Sequence, residues 1–182
     1  MPDTKKFQFS LKHLLIGIII FSSICYGIVY LYEPHLIEDG RFPITVDYSR
    51  TLEEMIKAGK YDYVNSSINS TNFPIDQSKS GTETLEAVIV HLDKYVKDTE
   101  TVLKLMDKKG LRPATLPELL ALGEQYPELQ REPLLFALGS RSRLGVGWYI
   151  PCLDGWGGKR GLVLGWWSGV WNGGCRFLAF RK

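Results

Sequence analysis

From Leu14 to Tyr32 the chain carries no charged residue, and 14 of these 19 positions are aliphatic or aromatic. As a helix they would span roughly 28 Å, close to the ~30 Å hydrocarbon thickness of a bilayer. The segment is therefore expected to be a transmembrane helix with the bilayer as its partner. Lys5, Lys6 and Lys12 precede it, whereas Glu33, Glu38 and Asp39 follow with only Arg41 nearby. This bias places the N-terminus in the cytoplasm and the remainder outside it. Tyr26, Tyr30 and Tyr32 gather at the outer end, where amphipathic rings prefer the interface, and His13 falls at the inner boundary. A cleaved signal peptide fits less well, because its apolar region is usually shorter and ends in an A-x-A-like site. Ser22, Ser23 and Gly27 are the only small residues in the second half of the segment, and Ile24 before Cys25 does not suit a lipoprotein signal.

Residues 1–13 thus read as a basic cytoplasmic tail and 14–32 as the anchor. Pro34, Gly40 and Pro43 make 33–46 read as an extended stalk. Residues 47–182 are long enough for one hydrophobic core. Thr51-Leu-Glu-Glu54 has the form of a capping box and predicts a helix near 52–58, stopped by Gly59. Tyr61–Val64 reads as a strand, followed by a polar loop that Phe73-Pro74 closes. Leu85–Leu92, rich in β-branched residues, is the clearest early strand. Asp98 or Thr99 should cap a helix through Lys109, with Gly110 as its stop. Thr115-Leu-Pro-Glu118 repeats the capping box before a helix that Pro127 limits. After Leu134 the pattern changes to short strands and Gly-rich turns: Leu134–Leu138, Trp148–Leu153, Leu162–Trp166 and Arg176–Phe180. This succession predicts an α+β domain.

Thr45–Arg50, Leu52–Asn65, Gly110–Leu120, Ala137-Leu-Gly-Ser140 and Arg176–Lys182 resemble a family of uncharacterised bacterial membrane-anchored proteins. The Leu-Pro-Glu helix and the Arg-rich closing strand are similar to C-type lectin-like domains of the formylglycine-generating-enzyme type. That class includes the variable proteins of diversity-generating retroelements, in which a hypervariable C-terminal surface sits on a fixed scaffold. The resemblance implies a single C-type lectin-like domain that displays a recognition surface. Two departures stand out. The segment after Ala-Leu-Gly-Ser, usually acidic in the family, is basic in Ser140–Gly147, and the closely spaced cysteine pair of formylglycine-generating enzymes is absent.

All five Trp lie between Trp148 and Trp171. Large ring faces serve either a core or a stacked ligand. Trp166 shares the parity of Leu162 and Leu164, so Trp166 and Trp171 are assigned to the core and Trp156 and Trp167 to the surface. From Gly139 onward seven basic residues face one acid, Asp154, a local charge of +6 that suits an anionic or acidic ligand, although a solvated rim has the same composition. Arg176 is read as a structural anchor in the last strand. The expected ligand contacts in 139–175 are Trp148, Asp154, Trp156, Lys159, Trp167, Ser168 and Asn172, and the expected partner is an extracellular protein or glycan. Export argues against nucleic acid.

No catalytic motif emerges. His13, His35 and His91 are far apart, and His91 is read as structural. Glu118, Glu124, Glu128 and Glu132 are read as a solvated face, no metal or cofactor is expected, and the Gly pairs lack the context of phosphate loops. Cys152 and Cys175 are the one pair available for a disulfide in an oxidising compartment, with two buried thiols as the alternative. The leading expectation is a binding protein without enzymatic activity. A structural envelope subunit with one fixed partner and an enzyme of the formylglycine-generating-enzyme fold class are the rivals.

Overall fold

The computed structural model describes residues 33–131 and 134–182, with no side-chain description for Arg131. The expected anchor at 14–32 and basic tail at 1–13 lie outside these residues. Among the described residues no helix is long and apolar enough to cross a membrane.

The β-branched run expected at Leu85–Leu92 lies within strand β3, Thr82–Leu92. Successive side chains of a strand point to opposite faces, and here both faces are buried. Ala87 and Ile89 join one apolar cluster, while Val88, Val90 and Leu92 join another. The same split recurs in β9 (Arg176–Arg181), where Leu178 and Phe180 face one cluster and Phe177 and Ala179 the other. Strand β5 (Leu135–Phe136) divides Leu135 from Phe136, and β7 (Gly147–Trp156) divides Leu153 from Ile150 and Cys152. A continuous apolar run is what a strand covered on both faces requires.

One face is covered by α1 (Leu52–Ala58), through Leu52 and Met55, and by α3 (Leu116–Gln125), through Leu116, Leu119, Leu120 and Leu122. The other is covered by α2 (Thr99–Lys108), through Val102 and Met106, together with Trp171. The helices start where their caps predicted. Thr51 and Glu54 satisfy each other's backbone N–H groups at 2.8 and 3.2 Å. Asp98 accepts the Thr101 N–H at 2.7 Å, and Gly110 follows α2 at φ +67°.

The strands form one sheet in the order β1-β3-β9-β5-β7-β8-β2, with β4 (Leu111–Pro113) on β9 and β6 (Ser142–Leu144) on β7. Here β1 is Leu36–Asp47, β2 is Tyr63–Val64 and β8 is Lys159–Trp166. Pairing is antiparallel except for β2 with β8 and β5 with β9. The domain is thus mixed α/β, mostly sheet, with three helices among the described residues.

The stalk expected at 33–46 is corrected by β1, which pairs with β3 from Leu36 to Asp47. Its Pro and Gly misled because β1 is an edge strand, where a missing N–H on the open side costs nothing. A bulge between Glu38 and Gly40 seats Asp39, whose carboxylate accepts from His91 at 2.7 Å and Arg176 at 2.8 Å. The open edge is sealed by side chains. Gln125 accepts the Thr45 N–H at 2.9 Å and donates to the Thr45 carbonyl at 2.8 Å, while Tyr126 donates to the Pro43 carbonyl at 2.9 Å. This amide takes the place of a further strand and blocks edge pairing.

Candidate functional site

Strands β7 and β8 form a hairpin through Gly157 and Gly158, at φ +60° and +79°. Two consecutive left-handed residues make the type I′ turn that matches strand twist. Trp148 and Trp156 both belong to β7, yet eight residue steps of strand separate them by about 27 Å. The seven expected contacts therefore do not form one site. Trp148, Trp167 and Ser168 lie at one end of the hairpin, and Asp154, Trp156 and Lys159 at the other. Asn172 lies in the segment returning to β9, where its side chain accepts the Gly174 N–H at 2.8 Å.

At the first end the Trp167 N–H donates to the Trp148 carbonyl at 2.9 Å, which keeps the two residues side by side past the end of β8. The Arg141 guanidinium lies 4.9 Å from the Trp148 ring centre and 4.6 Å from that of Trp167. Such cation–π geometry holds all three groups in one arrangement. Trp167 also donates from Nε1 to Glu100 at 3.0 Å, and it is half-buried instead of exposed as expected. Trp166 corrects the opposite assignment: it is 54% exposed. Its parity matches Leu162 and Leu164, but it occupies the last position of β8, where its ring lies tilted against that of Tyr149 at 4.6 Å. Trp171 is core as expected, set edge-on to Phe136 and Phe177 at 4.9 and 5.2 Å, with its indole N–H donated to Thr99 at 3.1 Å. Val146, almost wholly exposed in the β6–β7 turn, and Val170 add apolar surface to this end.

The basic C-terminal composition divides in the same way. Arg160, expected on the rim, is a hub: it donates to Gln130 at 2.7 Å, to the Gly59 carbonyl at 2.7 Å and to the Gly123 carbonyl at 2.5 Å. It thereby ties α1, α3 and the 3₁₀ turn Pro127–Arg131 to β8. The Tyr61 ring fits beneath it because Gly59 and Gly123 have no side chain; a Cβ at either would come within 2.5 Å of that tyrosine. Arg176 is bound to Asp39 as expected, Arg181 donates to Glu38 at 2.6 Å, and Lys182 is held by Asp107. Arg141, Arg143 and Lys159 remain as outward-facing basic side chains.

Glu118 is the largest correction among the acids. Instead of facing solvent it is fully buried, accepting from Arg112 at 2.8 and 3.1 Å, from the Tyr48 hydroxyl at 3.2 Å and from the Thr115 N–H at 2.7 Å. Burial alone would raise its pKa, but the Arg112 bonds and the Thr115 N–H outweigh that effect and hold the carboxyl below the usual range. The same burial, together with the Glu118 charge, pushes the Tyr48 hydroxyl upward. Glu124 pairs with Arg50 at 2.8 Å, and Glu132 lies outside the described residues.

Cys152 and Cys175 are free thiols, so the disulfide considered for them is not formed. Cys152 is buried, which pushes its thiol pKa upward, with Asp154 and Cys175 adding to the shift. His91 has the structural role expected through Asp39, and His35 meets Asp93 at 3.1 Å. Among the described residues no group of three His, Cys, Asp or Glu side chains is placed to hold a metal ion. A cleft of about 300 Å³ opens beside β1 and α3, and another of about 410 Å³ lies around Tyr48 and Lys79. Neither includes an expected ligand contact.

The class that fold and surface define is a mixed α/β domain, mostly sheet, bearing an aromatic and guanidinium patch at one end of a long hairpin. No family model, curated protein or solved structure matches the chain. Arg141 and Trp166 were absent from the expected contacts. The adjacent Trp166-Trp167 pair, followed by Ser168-Gly169, is the signal of a strand ending, where the face that bears Trp166 loses its cover while α2 still holds Trp167.

Proposed function

We propose that this is a single-pass membrane protein, N-terminus cytoplasmic, whose extracytoplasmic domain binds a protein or glycan ligand through the Trp148, Trp167 and Arg141 patch. The observation that carries this reading is the guanidinium held over two adjacent Trp rings at 4.6 and 4.9 Å. Aromatic and arginine side chains fixed before binding lose little entropy on contact, and they dominate interface energetics. The uncharged Leu14–Tyr32 segment and its flanking charges support the anchor. The C-type lectin-like reading of the domain rests on the sequence resemblance. A formylglycine-generating chemistry would call for a reactive thiol; burial pushes the pKa of Cys152 upward, while Cys175 is only half-buried.

The test uses the soluble domain from Pro34 to Lys182, since a start at Pro43 would remove half of β1. On protein and glycan arrays, Trp148→Ala and Arg141→Ala should each weaken binding by about tenfold or more, the scale of a contact residue. Trp156→Ala, at the far end of the hairpin, should leave it unchanged. Ligand binding that survives both patch substitutions in a folded domain would reject the assignment. Uniformity of 141–175 among close paralogues would favour one fixed envelope partner over diversified recognition.

A further inference from the structure

The second group of expected contacts needs a different explanation. Trp156 is 84% exposed at the tip of the β7–β8 hairpin, next to the exposed Lys159, and it packs against neither apolar core cluster. Its place in the sheet is the informative feature. The registers align Ile37, His91, Arg176, Leu135, Leu153 and Leu162 in one row across six strands. Beyond that row, toward the end where β1 begins, the hairpin continues from Leu153 through Trp156, about 10 Å of strand. The tip thus lies at the end of the sheet at which the chain enters the domain. β7 is four strands from β1, a lateral distance of about 19 Å. Tyr95, 65% exposed just after β3, belongs to the same end.

Chain length turns this placement into a constraint. Glu33, Pro34 and His35 are the only residues between Tyr32 and the first residue of β1. Four Cα steps reach at most about 14 Å. No stalk therefore separates the sequence expected to span the membrane from the end of the sheet that bears Leu36.

Resting on the anchor reading above, we infer that the Trp156 hairpin tip is a second contact with the lipid bilayer, docking the domain on the membrane that anchors it. An indole prefers the interfacial zone, with its ring among the upper acyl chains and its N–H among the headgroups. Lys159, directly across the hairpin from Trp156, supplies a cation for lipid phosphates. The Trp148 patch lies about 27 Å from the tip along β7, at the opposite end of the hairpin.

The full chain in vesicles provides a direct readout, because residues 1–147 contain no Trp and the anchor contributes no indole fluorescence. In vesicles of lipids brominated near the top of the acyl chain, indole emission should fall relative to unbrominated vesicles. Trp156→Ala should abolish most of that fall, and Trp148→Ala should leave it intact. Exposure at the tip makes Trp156→Ala safe for folding, which far-UV circular dichroism checks. A chain that floats with the vesicles yet shows the same quenching with and without Trp156 overturns the docking alone. A chain that does not float overturns the anchor and the docking together. Protection of Trp156 from acrylamide without bromolipid quenching would mean that a protein covers the tip, and would overturn the lipid assignment.

Discussion

Replacing Glu118 with Gln keeps the side-chain shape and removes the charge from the most buried ionic site of the domain. Each neighbouring group is a donor: two Arg112 nitrogens, the Tyr48 hydroxyl and the Thr115 N–H point at the two carboxylate oxygens. The carboxamide has one oxygen, and its NH₂ must face at least one of these donors. Arg112 then loses its counter-ion while about one third of its side chain is still reached by water. Breaking a fully buried pair costs roughly 3–5 kcal/mol; with partial solvation of Arg112, we expect about 3 kcal/mol. For a domain of this size that lowers Tm by about 6–12 °C. The pH dependence has a definite sign. The folded carboxyl is more acidic than in the unfolded chain, where Glu titrates near ~4.3. Its contribution is therefore complete above that value and is lost as pH falls through the folded pKa. Thermal unfolding of the soluble domain followed by circular dichroism should show a wide Tm gap between wild type and Glu118→Gln at pH 7. The gap should narrow progressively as the pH drops below ~4.3. A Tm change under 2 °C at neutral pH, or a gap independent of pH, would refute the reasoning.

Two further substitutions probe how the sheet is held. Gln125→Ala removes both hydrogen bonds to the Thr45 backbone and should cost about 1–2 kcal/mol in urea unfolding. Because it uncovers the β1 edge, it should also raise concentration-dependent association in analytical ultracentrifugation, and a monomer of unchanged stability would contradict the sealing role. Arg160→Lys retains the charge but not the fork that reaches Gln130, Gly59 and Gly123 together, so about 2–3 kcal/mol should be lost in the same assay. Wild-type stability in that variant would show that a point charge suffices at the hub.

The features legible in sequence were those determined by neighbours along the chain. Caps at Thr51 and Asp98, the stop at Gly110 and the β-branched run in β3 all act within one or two turns, so each helix and most strands were found near their observed positions. What misled depended on distant partners. Pro43 and Gly40 look like breakers until β3 is known to lie on one side and Gln125 on the other. Glu118 follows the pattern of a solvated helical face, and only the approach of Arg112 and Tyr48 turns it inward. Arg160 reads as one more basic residue at the C-terminus, whereas its three acceptors lie 30 to 101 residues away.

By itself the sequence determined the uncharged span, the charge asymmetry around it, the mixture of helices and strands and the crowding of Trp into the last quarter. These are properties of local order and composition, and no tertiary contact alters them. Tertiary structure alone decided which Trp is core and which is surface, and that the expected contact set divides between the two ends of one hairpin. The physical reason is that strand parity specifies a face but not what covers it. Trp171 and Trp166 both suit an apolar environment, yet only Trp171 meets Phe136, Phe177 and Thr99, while Trp166, at the last position of β8, is left more than half exposed.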